Sequence, residues 1–222
     1  MELTPVLVLA MWASGLAAGA AVVGWWRIVG PGYLWLAAGL ATGVGALVVA
    51  TGGGPAAWVG TVAAAVAVVA ARSPAVASVG LVASAVAFLL VAAGRSPLLA
   101  AVTGAVLTGA VTSEMLLGHW YLVDPRLPRW ALKALTAAAG VGLLGDAAVV
   151  GSRVLAAGNA ADPVFGWAHL ALAVMTGLLI AAVWLSLDEP RYTGVMAATG
   201  LSYLAVLTCF GTVVVGRMVA YG

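Results

Sequence analysis

Apolar positions run through this chain in stretches of about 20 residues, separated by short polar or Gly/Pro breaks. Eight stretches result, and each predicts a membrane-spanning helix: Pro5–Trp26, Tyr33–Ala50, Pro55–Ala71, Pro74–Ala93, Pro97–Val123, Trp130–Leu155, Phe165–Leu187 and Gly194–Ala220. The breaks have physical causes. "RSP" occurs at Arg72–Pro74 and again at Arg95–Pro97. In each, Ser suits the cap of the next helix and Pro its first turn, where no amide hydrogen bond is lost. "DPRLP" and "DEPR" stop helices because Pro drives its preceding residue out of the α region. The apolar runs are continuous, not alternating, so a β-barrel is excluded. No hydrophilic linker separates domains. The expected fold is one all-α bundle of about eight transmembrane helices over residues 1–222.

Composition agrees. Of 222 residues 64% are hydrophobic and 7% charged, whereas a soluble domain carries about 25% charged residues. So few charges cannot cover a water-facing surface, so the partner of this surface is a lipid bilayer. The sequence pI near 9.0 comes from scattered arginines. Lys133 is the single lysine and no basic run exists, which argues against nucleic acid. Cys209 stands alone and leaves the redox compartment undefined. "MELTPVLVLAMW" lacks a basic n-region and reads as the first span.

Eight spans put both termini on one side. The opposite loops hold Arg27, Arg72, Arg126, Arg129, Lys133 and Arg191; the terminal side holds Arg95, Arg153 and Arg217. This bias predicts that the first group faces the cytoplasm, with both termini on the outer side of an inner (cytoplasmic) membrane. Gly15-x-x-x-Gly19 and Gly39-x-x-x-Gly43 predict close helix packing within the bundle. Residues 1–96 carry no intramembrane charge and no histidine, and read as scaffold; the polar groups fall in 97–222.

The densest chemistry is "TSEMLLGHWYLVDPRLPRW", residues 112–130. Glu114 lies nine residues before the helix end, about 13 Å inside. An ionisable group there costs about 2.5–3.5 kcal/mol, so the neutral acid is expected, with Thr108, Thr112 and Ser113 as nearby hydrogen-bonding groups. His119 sits one turn from the interface, followed by Trp120, Tyr121, Asp124 and Arg126. As single residues these are an aromatic belt and loop charges. Together with Glu114 they resemble the lining of a quinone head-group pocket, which needs donors, a flat wall and a proton source. The expected cofactor-binding set is therefore His119, Trp120, Tyr121, Asp124 and Arg126, with Glu114, His119 and Asp146 as proton-exchanging groups.

Asp146 is the second buried acid, in "GLLGDAAVV". Arg153, seven residues later on the same helical face, is its expected partner, and Glu114 and Asp146 should be offset by about 10 Å in depth. His169 opens the seventh span at the outer belt. His119 and His169 fall near opposite faces, so one haem held by both is not expected: its axial nitrogens would have to lie about 4 Å apart. HxxH and HxxxH spacings are missing, so no metal site is expected. In the eighth span positions 199, 203 and 206 fall on one face, with Ser and Thr as interhelical glue. Nucleophile-elbow and Walker motifs are missing as well.

These features point to a membrane subunit of an electron-transfer complex, binding quinone and exchanging protons at the inner face beside other membrane subunits. The alternatives are a small proton- or cation-coupled transporter or channel, and a cofactor-free structural accessory subunit.

Overall fold

A computed structural model describes residues 4–157 and 163–221. They form eight helices: α1 (Pro5–Trp26), α2 (Pro31–Ala50), α3 (Gly54–Val69), α4 (Pro74–Ala93), α5 (Leu98–Val123), α6 (Arg129–Ala157), α7 (Pro163–Ser186) and α8 (Tyr192–Tyr221). Each predicted span is a helix, and seven are long and apolar enough to cross a membrane. Pro stands in the first turn of α1, α2, α3 and α4. The serines of the two "RSP" breaks do not cap with their side chains. Ser73 makes no cap bond, and the Ser96 hydroxyl donates backwards to the Ala92 carbonyl at 3.1 Å, closing the helix before it.

α3 has 16 residues, about 24 Å of rise against a hydrocarbon core of about 30 Å. It nevertheless covers the same depth as α2. Its first turn lies against Val48 near the end of α2, and Val68, Val69 and Arg72 flank Pro31 and Trp35 at the start of α2. The turns on either side of α3 supply the missing length.

α5 is the axis of the bundle and packs on α1, α6 and α8. The best-buried spans are α1 and α5, with 72% and 67% of their most apolar stretch inside the protein, whereas α7 has 17%. α1 and α5 run parallel and nearly touch. A Cβ on Gly15 would fall inside the Ala105 carbonyl and stand 2.8 Å from the Gly109 Cα, and Gly19 sits against Ser113. The first glycine pair therefore packs inside the bundle, as expected. The second does not: Gly39 and Gly43 are exposed, with no neighbouring atom within 4 Å of a Cβ placed there. α2 turns its Tyr33, Leu34, Ala37, Ala38 and Ala41 inward instead, which leaves both glycines on the membrane side.

α7 buries three residues, His169, Thr176 and Val183. They recur every seven residues, so α7 meets α8 along one narrow seam. The rest of α7 displays Leu170, Val174, Met175 and Leu178 to the outside.

Candidate functional site

α8 carries the buried polar chemistry. Its inward positions Thr199, Ser202, Ala205, Cys209, Thr212 and Arg217 recur every three to five residues and face α5, α6 and α7. Tyr203 is exposed and Val206 half-buried, so the inward face is centred one residue away from the expected 199/203/206 face.

Glu114 is buried at the α5–α8 contact, where its Oε2 meets the Ser202 hydroxyl. The expected neighbours serve elsewhere. Thr108 donates to the Gly104 carbonyl at 2.8 Å, Thr112 donates to the Thr108 carbonyl at 2.7 Å, and Ser113 faces Gly19. A count of hydrogens then leaves two arrangements, with the one Ser202 hydrogen on Glu114 Oε2 or on a backbone carbonyl. Ser202 also lies 2.8 Å from the Ala198 carbonyl, which has no proton to give. A serine has one hydrogen. If it goes to Ala198, as is common for serine in membrane helices, the carboxylic acid of Glu114 must be the donor to Ser202. The other oxygen, Oε1, has no partner among the described residues. Glu114 also lines a void of about 10 Å³ with Thr136, Ile180 and Val183, which is near the smallest space that holds one water.

Asp146 lies deeper toward the other face. Its Oδ1 accepts from Arg217 Nη2 at 2.5 Å and from the Thr103 hydroxyl at 3.2 Å. Neither member of the ion pair has exposed side-chain surface. The same Nη2 donates to the Ala100 carbonyl at 2.7 Å. The expected partner, Arg153, is on an exposed part of α6. Residues 152, 153, 155 and 156 are all exposed, because this end of α6 runs past its packed neighbours. Glu114 and Thr103 are eleven residues apart on α5, so the two acids differ in depth by about 16 Å, more than the expected 10 Å.

His169 is buried, not in the lipid belt. Its Nδ1 donates to the Thr212 carbonyl at 3.2 Å, which requires a hydrogen on Nδ1. The ring leans on Gly216, where a Cβ would be 2.9 Å from Cε1. Thr176 and Thr212 hydroxyls meet at 3.1 Å. Since Thr212 donates to the Thr208 carbonyl at 2.9 Å, Thr176 is the donor between them. His169 thus stands within electrostatic reach of Asp146 and Arg217.

The belt residues diverge, as successive helical positions must. His119 Nδ1 is 3.3 Å from the Tyr203 hydroxyl on α8. Trp120 packs on Gly32 and edge-on to Tyr33 of α2. Tyr121 is buried near Tyr192, with ring centroids 6.5 Å apart. Asp124 and Arg126 pair with each other in the loop at 3.0 Å, and that hydrogen bond holds the Asp124 carboxyl below the usual carboxylate range. The five side chains form no common wall around one head group. His119 touches α8 at Tyr203 and His169 touches it at Thr212 and Gly216. Nine to thirteen residues of helix, about 13–20 Å of rise, separate those contacts, too far for one iron.

Between α6 and α7 a groove of about 460 Å³ opens toward the bilayer. Thr136, Gly140 and Leu144 form one wall, and Gly177, Ile180 and Trp184 the other. Thr136 and Ile180 also line the void at Glu114, so these two side chains are the partition between groove and carboxyl.

Fold and site define a multi-pass helical membrane protein with two buried acid stations on one helix interface. Comparison with protein families, curated proteins and solved structures finds no match.

Proposed function

We propose that this protein exchanges protons inside the membrane, as a small proton-coupled transporter of the inner (cytoplasmic) membrane, with Glu114 as the exchanging group. One observation supports this most: a buried carboxyl on α5 with one free oxygen, held by a serine that can reverse its hydrogen bond. In the acid form Glu114 donates to Ser202, and Ser202 donates to Ala198. The proton leaves from Oε1 after the carboxyl turns to carry it there, while Ser202 turns its hydrogen to the other oxygen and Ala198 keeps its helical amide bond. The switch needs the hydroxyl and the carboxyl to rotate and no helix movement. Asp146 and Arg217 balance each other's charge and keep the deeper half of α8 in place while Glu114 changes charge.

A second reading, a membrane subunit of an electron-transfer complex, is favoured by the groove that ends one side chain short of Glu114, with Thr136 and Ile180 between them. Both readings share the proton step.

The test is a difference infrared spectrum of the protein in liposomes across a pH step. A carboxylic C=O band that titrates in the wild type and disappears in Glu114→Gln supports the assignment. A band that persists unchanged in that variant rules Glu114 out. In the same liposomes, loaded with a pH dye, Glu114→Gln should lower proton uptake driven by an imposed potential at least tenfold.

A further inference from the structure

The groove between α6 and α7 has the shape of a site for a bilayer-soluble amphiphile. On α6 it runs from Thr136 to Leu144 and on α7 from Gly177 to Leu185, eight residues on each helix, about 12 Å. Its volume of about 460 Å³ lies in the range of small-molecule sites, roughly 300–1,000 Å³. No charged side chain lines it. Two glycines widen it: a Cβ at Gly140 would meet no atom within 4 Å, and one at Gly177 would meet Leu143 at 3.4 Å.

Depth gives the groove a direction. Thr136 is seven residues from the start of α6, about 10 Å, and Leu144 fifteen residues, about 22 Å. The Thr136 end is therefore the end nearer a membrane face, and the Leu144 end reaches the hydrocarbon midplane. An amphiphile in a leaflet lies the same way, head toward the face and tail toward the middle. At the head end, behind Thr136 and Ile180, is the unpartnered Oε1 of buried Glu114. Thr136 spends its hydrogen on the Leu132 carbonyl at 2.9 Å, so the donor available to a ligand is the Glu114 acid in the arrangement where Ser202 donates to Oε2 and the acid's proton sits on Oε1. The nearest cation, Lys133, is already engaged with Asp188 and Trp184.

We propose that this groove binds an isoprenoid quinone from the bilayer, its head-group carbonyl accepting a hydrogen bond from Glu114 and its tail lying between α6 and α7 toward the midplane. An uncharged head fits because the groove has no charge to pair with. A carbonyl fits because the one free group at its end is a donor. Ile180 is half-buried and lines both groove and void, and the proposal requires its side chain to turn aside for the head group to reach the carboxyl. The site differs from the belt residues His119–Arg126, which face other helices. It requires Glu114 to offer a hydrogen bond, and it stands or falls separately from proton transfer, because binding is read directly.

The experiment uses the full chain in nanodiscs of defined, quinone-free phospholipid, photolabelled with an azido-benzoquinone carrying a decyl tail and competed with decylubiquinone. Labelling on 136–144 and 177–185 that saturates at one quinone per chain is expected. Gly140→Phe, whose Cβ enters open space in the groove, should weaken binding at least tenfold. Glu114→Leu should weaken it about tenfold, and Ile180→Ala should tighten it. Three results would overturn the proposal: labelling elsewhere, binding to Gly140→Phe equal to wild type, or complete competition by added phospholipid, which would make the groove a seat for ordinary lipid only. The infrared test of Glu114→Gln is independent. Loss of the titrating band with no quinone binding would remove the ligand and keep the proton role; the reverse pattern would keep the ligand and remove the proton role.

Discussion

Asp146 on α6 and Arg217 on α8 meet at 2.5 Å with no exposed side-chain surface on either, in a chain that has few charges at all. Thr103 and the Ala100 carbonyl of α5 complete the contact, so one ion pair ties three helices together. Removing one partner leaves the other charged and buried, which costs about 3–5 kcal/mol. Arg217→Met and Asp146→Leu are each expected to unfold the protein at markedly lower temperature in detergent. The double change should recover most of the loss. A double variant no better than the worse single one would mean that the pair is not coupled.

The two glycine pairs should answer differently to the same methyl group. At Gly15 and Gly109 the added carbon meets backbone of the facing helix, and overpacking of that kind costs about 1–3 kcal/mol or more. At Gly39 and Gly43 it meets nothing within 4 Å. Thermal melts of Gly15→Ala and Gly43→Ala should separate clearly, with Gly43→Ala unchanged or slightly stabilised by better helix propensity.

Ser202→Ala removes the partner of Glu114 Oε2 and leaves both carboxyl oxygens bare. The expected cost is about 1–3 kcal/mol, and the Glu114 C=O band should move to higher frequency as its hydrogen bond is lost. An unmoved band would show that the bond is not formed in the membrane.

Asp124 tests the loop electrostatics. Its carboxyl is held low by hydrogen bonding to Arg126, so the folded form binds its proton less readily than the unfolded chain. The stabilisation is therefore present above the unfolded titration range and disappears as pH falls through the folded one. Arg126→Ala should raise the Asp124 titration, followed by NMR of the labelled side chain, only part of the way to the ordinary carboxylate range, because the residue-126 amide still donates to it. Both groups are on the surface, and melting temperature at neutral pH should hardly change.

Topology can be read from the same loop. Arg217 is buried in an ion pair and so does not count as a loop cation, which leaves Arg95 and Arg153 against six cations on the other side. On that bias the "DPRLPRW" loop is expected to face the cytoplasm. Arg126 is well exposed, and Arg126→Cys in a Cys209→Ala background should react with a membrane-impermeant maleimide in inverted vesicles only. Reaction in intact cells would reverse the orientation.

The eight helices were legible because membrane helices need long apolar runs, and the breaks between them are rich in Pro and Gly. Glu114 was legible as a buried acid because its distance from the helix end follows from sequence alone. Its partner was not. Ser202 is 88 residues away, and its place against Glu114 depends on how α5 and α8 are rotated about their axes. Asp146 shows the same limit more sharply. The seven-residue spacing to Arg153 is sound helical geometry, but α6 leaves the packed body before that residue is reached. The matching signal lay in α8, where Arg217 is the one charge in a 30-residue apolar helix. His169 read as a belt residue because its neighbours Phe165 and Trp167 are aromatic and exposed; the seam at 169, 176 and 183 turns it inward.

The placement of both partners on α8 also sets an order in time. α5 and α6 are made and inserted first, so Glu114 enters the bilayer without Ser202, and Asp146 with Thr103 but without Arg217. Arg217 follows Asp146 by 71 residues, a wait of roughly 4–14 s at synthesis rates of about 5–20 residues per second. During that interval an incomplete chain carries two acids in the membrane without their α8 partners, each a penalty of a few kcal/mol. A nascent chain stalled before α8 would therefore be a marked target for membrane chaperones and proteases, and arrival of α8 is the event that releases it from their attention.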